Sequence, residues 1–145
     1  KYERALELIT EADLKPEIKA AAGRNFRYKQ ARVALARDNL QPARTIIEDY
    51  RSSAELKQIP AEVRQIHELD GLLAAAEGNF EEALAQFLLA NQQNPRILFY
   101  AAQAAQKAGD LEQARDLADR AANFNGLNFN YAYVRSDARK LLSQL

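Results

Sequence analysis

His67 is the only histidine of the 145-residue chain, and cysteine is absent. A zinc or other transition-metal site built on His67 would need further nitrogen or sulfur ligands, and the composition supplies none. A serine nucleophile would have to come from Ser52, Ser53, Ser136 or Ser143, none of which sits in a strand-turn-helix nucleophile sequence. Glu81-Glu82 has the look of a carboxylate pair. Adjacent helical residues diverge by about 100°, however, and acidic residues in a first turn are explained by the helix dipole. The glycines stand singly at 23, 71, 78, 109 and 126, so no phosphate-cradling loop is present. The expectation is no catalytic residue, no metal ligand and no cofactor site, with His67 as a packing residue.

Charge offers binding rather than chemistry. From Glu17 to Arg37 the chain carries Lys19, Arg24, Arg27, Lys29, Arg32 and Arg37 against Glu17 alone, with Tyr28 among them. This is either a solvated helix face or a local basic patch that recruits an acidic partner. The chain as a whole has 20 basic and 20 acidic residues, which argues against a dedicated nucleic-acid or membrane-surface binder. Apolar residues make up 48% and charged residues 28%, a globular balance and not a disordered one. No apolar run approaches the roughly 18 residues of a membrane span. Lack of cysteine fits either redox compartment, so localisation is left open. Methionine is missing even at position 1, and the expectation is a piece of a longer protein whose upstream part carries any targeting signal.

The elements that would position these residues are written in a recurring phrase. Asn79-Phe80-Glu81-Glu82-Ala83-Leu84 is echoed by Asp110-Leu111-Glu112-Gln113-Ala114-Arg115, by Asn39-Leu40-Gln41-Pro42-Ala43-Arg44 and by Lys1-Tyr2-Glu3-Arg4-Ala5-Leu6. Tyr2, Leu40, Phe80 and Leu111 each precede an alanine by three residues. Gly78 and Gly109 suit the left-handed closing position of one helix. Asn79 and Asp110 suit the N-cap of the next, with Glu82 and Gln113 at the capping-box position. Pro42 falls in a first turn, where its missing N–H costs little. Each phrase predicts the tight turn and opening of the second helix of a helical hairpin. The patterning predicts helices at about 1–13, 17–37, 40–51, 60–77, 80–93, 96–108, 111–124 and 129–144. A loose connection is expected from Arg51 to Ile59.

In these residues the chain resembles the tetratricopeptide-repeat family, whose period is about 34 residues, and looks like a fragment of a bacterial-type member. The closest fit is Arg64–Pro95. There His67 stands at the usual Trp and Gly71 at the first small position. Ala74, Gly78, Phe80, Ala83, Phe87, Ala90 and Pro95 follow in step. The next unit matches through Ala102, Gly109, Leu111, Ala114 and Ala121, whereas in the unit near Arg24 Asp38 replaces the turn glycine. The resemblance implies an all-α, right-handed superhelical solenoid of antiparallel hairpins forming one domain over 1–145. It comprises a truncated repeat at 1–13, repeats at about 17–58, 60–94 and 95–125, and a capping helix at 128–145.

It also implies a non-catalytic protein-interaction scaffold binding a peptide or partner protein on the concave face of the first helices. The groove-facing positions would be Asn25, Tyr28, Lys29 and Arg32; then Gln65, Glu68, Leu72 and Ala75; then Arg96, Phe99, Gln103, Gln106 and Lys107. Tyr28, Glu68 and Leu72 fall where relatives that clamp a C-terminal carboxylate carry other residues, which argues against that activity. Two alternatives stand beside this reading. One is a structural or homo-oligomeric module joined through open repeat ends. The other is an accessory domain of an enzyme whose catalytic part lies elsewhere. The stretch 121–134, with Phe124, Phe129, Tyr131 and Tyr133 among four asparagines, is either a packed turn, with Asn128 or Asn130 as cap, or a terminal interaction surface.

Overall fold

The computed structural model describes residues 2–126 and 129–145. Lys1 of the first phrase and Asn128 as a helix cap lie outside them. Among the described residues the chain forms eight α-helices and no strand: α1 (Tyr2–Glu11), α2 (Pro16–Ala36), α3 (Leu40–Glu55), α4 (Pro60–Ala76), α5 (Phe80–Leu89), α6 (Pro95–Ala108), α7 (Leu111–Ala122) and α8 (Phe129–Gln144). None is long and apolar enough to cross a membrane.

Local chemistry explains the boundaries. Pro16, Pro60 and Pro95 open α2, α4 and α6, where no intrahelical N–H is needed. Three helix ends close in the same way. Asn39, Asn79 and Asp110 donate their backbone N–H to Ala34, Ala74 and Ala105, while the residue before each donates to Leu35, Ala75 and Gln106. This double closure needs a left-handed residue. Gly78 (φ 82°) and Gly109 (φ 88°) supply it, and at the third turn Asp38 takes φ 58° without being glycine. Asp110 also caps α7 through its side chain, accepting from the Gln113 N–H at 3.0 Å. Asn79 makes no such side-chain bond. The expected capping box at Glu82 is not formed, because that carboxylate turns forward to Gln86 Nε2 at 2.7 Å.

Helices α1 and α7 end two residues before their expected limits, and α3 and α5 depart further. α3 runs on to Glu55, since Arg51 is fastened to Asp70 of α4 by bonds of 2.6 and 2.8 Å and Ala54 is fully buried. The loose connection therefore shrinks to Leu56–Ile59. α5 stops at Leu89, where the Gln92 side chain donates to the Phe87 carbonyl and Ala90 turns extended.

Each helix packs on the next in sequence, and α2 also packs on α4 and α6 on α8. One core joins α2, α3 and α4 around Ile47, Tyr50, Ile66 and Leu69. The other runs from α4 to α8 and is dominated by alanine, with Phe87, Ile97, Leu98 and Leu117 between. The recurring Ala43, Ala83 and Ala114 are all completely buried, whereas Ala5 in α1 is exposed. Gly71 of α4 crosses closely over Phe87 of α5, where an added Cβ would lie 2.6 Å from the ring.

Gly71→Ala is therefore expected to destabilise by about 1–3 kcal/mol through overpacking. Asp38→Gly should stabilise by up to about 1 kcal/mol by relieving the left-handed backbone of a residue with a Cβ. Urea denaturation of the two variants beside the parent checks both signs.

Candidate functional site

The middle helix α4 packs on α2 and α3 and lines a cleft with α6, and its chemistry changes along its length. Toward α2 and α3 it presents carboxylates. Arg24 Nε meets Glu62 at 2.8 Å and Arg32 Nε meets Glu68 at 3.5 Å, with both carboxylates largely shielded from water. Arg51 meets Asp70, and Arg44 meets Glu77 at the C-cap. Such pairs offset the desolvation of each charge only because both partners are present.

Tyr28 belongs to this interior. Its ring lies beside Tyr50 at 6.0 Å between centroids, and Arg32 Nη1 donates to its hydroxyl at 3.3 Å. Glu68 is 6% exposed and Tyr28 9%. The two residues that the resemblance sets on an open groove are thus packed between α2 and α4. Gln65 is also occupied, since the Tyr50 hydroxyl donates to its Oε1 at 2.6 Å. Burial, reinforced by Glu68, pushes the Tyr28 hydroxyl above its ordinary pKa, with Arg32 opposing. Burial and then Glu62 do the same for Tyr50, with Arg24 opposing.

Asn25 and Lys29 point elsewhere. They line a small cleft against Ala5, Leu6 and Ile9 of α1 and are not gathered with Arg32. His67 is a contact between α4 and α5, its Nδ1 2.8 Å from Gln86 Oε1. Among the described residues no three His, Cys, Asp or Glu side chains are grouped to hold a metal ion.

The last turns of α4, on the stripe that Glu68 begins, are apolar and partly open. Leu72, Ala75 and Ala76 form one wall of a cleft of about 270 Å³, and Tyr100, Gln103, Ala104 and Lys107 of α6 form the other. Phe87 and Phe80 of α5 close it, and Lys107 Nζ sits 4.7 Å from the centre of the Phe80 ring. Tyr100 connects this cleft to the rest of the inner face. It contacts Phe87 and Phe99 with ring centroids 5.9 and 6.3 Å away, accepts from Arg96 Nη2 at 3.1 Å, and lies within electrostatic reach of Arg32. Arg96 in turn stands 4.9 Å from the ring of Tyr133 on α8. Gln106 lies half-buried on α6.

Of the predicted positions, then, Leu72, Ala75, Gln103 and Lys107 share the open cleft, and Arg96 and Phe99 adjoin it through Tyr100. Tyr100 and Phe80 were not singled out as site residues. Tyr100 was legible, because it falls four residues after Arg96 and seven before Lys107 on one helical stripe. The aromatic stretch divides in two. Phe124 and Tyr131 pack together, with the Tyr131 hydroxyl donating to the Ala122 carbonyl, while Phe129 and Tyr133 stand 80% and 65% exposed. Compared with protein-family models, curated proteins and solved structures, the chain matches none.

The buried tyrosines set a pH dependence. Their folded pKa values are raised, so their contribution is complete below the unfolded tyrosine pKa of about 10 and is lost as pH rises beyond it. The denaturation midpoint should fall above about pH 10, and Tyr28→Phe should make that fall shallower. Urea titrations from neutral to alkaline pH measure it.

Proposed function

We propose that the chain is a non-catalytic interaction scaffold of the tetratricopeptide-repeat kind. It holds an extended segment of a partner protein in the cleft between α4 and α6. Three features support the repeat reading. The hairpins α2–α3, α4–α5 and α6–α7 are closed by the same double-bonded turn. Small residues occupy their crossings. First helices also touch across repeats, as α2 on α4 does, and α8 packs on the first helix of the last hairpin. On this reading 1–145 is a single right-handed superhelical domain, α2, α4 and α6 line its concave side, and α8 covers the last hairpin.

The observation that carries the function is the make-up of the cleft. Its floor is apolar and about the size of one anchoring side chain, while its rim holds the Gln103 amide, the Lys107 ammonium and the Tyr100 ring. An apolar pocket gives affinity, and an amide beside it can pair with peptide groups of an extended strand. A scaffold is favoured over an enzyme because the groups that could act as bases are spent on structure. His67 and Glu82 are both tied to Gln86, and Glu68 is tied to Arg32. A second reading, self-association, is favoured by α1, whose main packing among the described residues is on α2 and which leaves Leu8 52% exposed.

Selection from random peptide segments displayed internally, without a free terminal carboxylate, tests the first reading. The parent chain should enrich a defined set. Ala76→Trp, made at an exposed position, should fill the cleft and abolish enrichment while leaving the circular-dichroism spectrum unchanged. Enrichment that survives this substitution would move the binding surface elsewhere. For the second reading, sedimentation velocity should reveal concentration-dependent association that Leu8→Glu removes.

A further inference from the structure

The cations around α4 are answered unequally. Arg24, Arg32, Arg44 and Arg51, which α2 and α3 turn toward α4, each have a carboxylate of α4 or its C-cap. Arg96 and Lys107 on α6 have no carboxylate within ion-pair distance among the described residues. Both lie on the stripe that borders the open cleft, with Tyr100 and Gln103 between them. Arg96 keeps donors to spare. Its guanidinium is lodged by the rings of Tyr100 and Tyr133, Nη2 donates to the Tyr100 hydroxyl, and its Nε is cut off from water with no acceptor. A guanidinium held in place with no counter-charge gains from an anion brought to it.

We infer that the partner segment is acidic: an extended peptide that seats one apolar side chain in the cleft against Leu72 and Tyr100 and directs carboxylates to Arg96 at one end and Lys107 at the other. The inference rests on the cleft being the peptide site. The spacing follows from the geometry. At 1.5 Å of helix rise per residue, the two cations are about 16 Å apart along α6. An extended chain advances about 3.3 Å per residue, so the two carboxylates are about five residues apart. The acidic stretch ends at Lys107, because Glu81 and Glu82 border the adjoining depression and oppose any further negative charge.

The same internal-peptide selection, repeated with Lys107→Glu and Arg96→Gln, decides the matter. The parent should enrich Asp or Glu pairs about five residues apart flanking an aliphatic or aromatic residue. A synthetic peptide of the enriched sequence, acetylated and amidated, should bind the parent less tightly as salt is added and, at low salt, bind Lys107→Glu roughly tenfold more weakly than the parent. Lys107 is exposed, so this variant keeps its fold even if Arg96→Gln does not. Enriched peptides without acidic pairs, or acidic peptides indifferent to Lys107→Glu, would overturn the inference. The cleft reading would stand as long as Ala76→Trp still blocks them. No enrichment by the parent chain would overturn both.

Discussion

The contact of Gly71 with Phe87 sets how closely α4 and α5 approach, and much else follows from that approach. A Cβ on residue 71 would meet the ring at 2.6 Å, so only glycine leaves room for this large, fully buried side chain at the crossing. With α5 drawn in, the Phe87 ring reaches through to Tyr100 and closes the cleft between α4 and α6 from behind. The buried alanines of α6 and α7 continue the pattern, allowing helix backbones to come close without large side chains between them. Such a core gains less from each residue than a leucine-rich one and relies on close packing.

α4 is the hinge of the electrostatics as well. Its earlier turns carry Glu62, Glu68 and Asp70 and accept the arginines of α2 and α3. Its last turns carry Leu72, Ala75 and Ala76, on the stripe that Glu68 begins, and line the cleft. Polar groups that a surface reading would assign to ligand binding are consumed in the earlier turns. Gln65 serves Tyr50, and Glu68 serves Arg32. What remains available for a partner lies on α6, where Lys107 borders the apolar cleft and neither Arg96 nor Lys107 has a carboxylate within ion-pair distance among the described residues. The division follows from burial: a charge packed between helices must have its counter-charge there, while one at a cleft can leave it to the partner.

Most of the helical outline was legible in the sequence, because its causes are local. Proline at a first turn, a left-handed closing residue and a cap depend on neighbours a few positions away. Even the degenerate turn at Asp38 closes like its glycine counterparts, since the same two backbone bonds enforce it. The misplaced ends of α3 and α5 had causes beyond the local pattern. Asp70 lies on another helix and holds the last turn of α3. The Gln92 side chain folds back on the Phe87 carbonyl to end α5.

The candidate site was legible only in part, and for a geometric reason. Helical spacing gives each residue an angle around its own axis, so it could place Arg96, Gln103 and Lys107 on one stripe of α6. It says nothing about where the next helix lands. Tyr28 and Lys29 are adjacent in sequence, yet one is enclosed by α4 and the other faces α1. The sequence alone determined that the chain is helical, where its turns fall and which small residues permit close crossings. The tertiary structure decided which polar groups are used up inside. It also brought Leu72, Phe80 and Tyr100 of three different helices around one opening, because that depends on distances between helix axes that no single stretch of chain encodes.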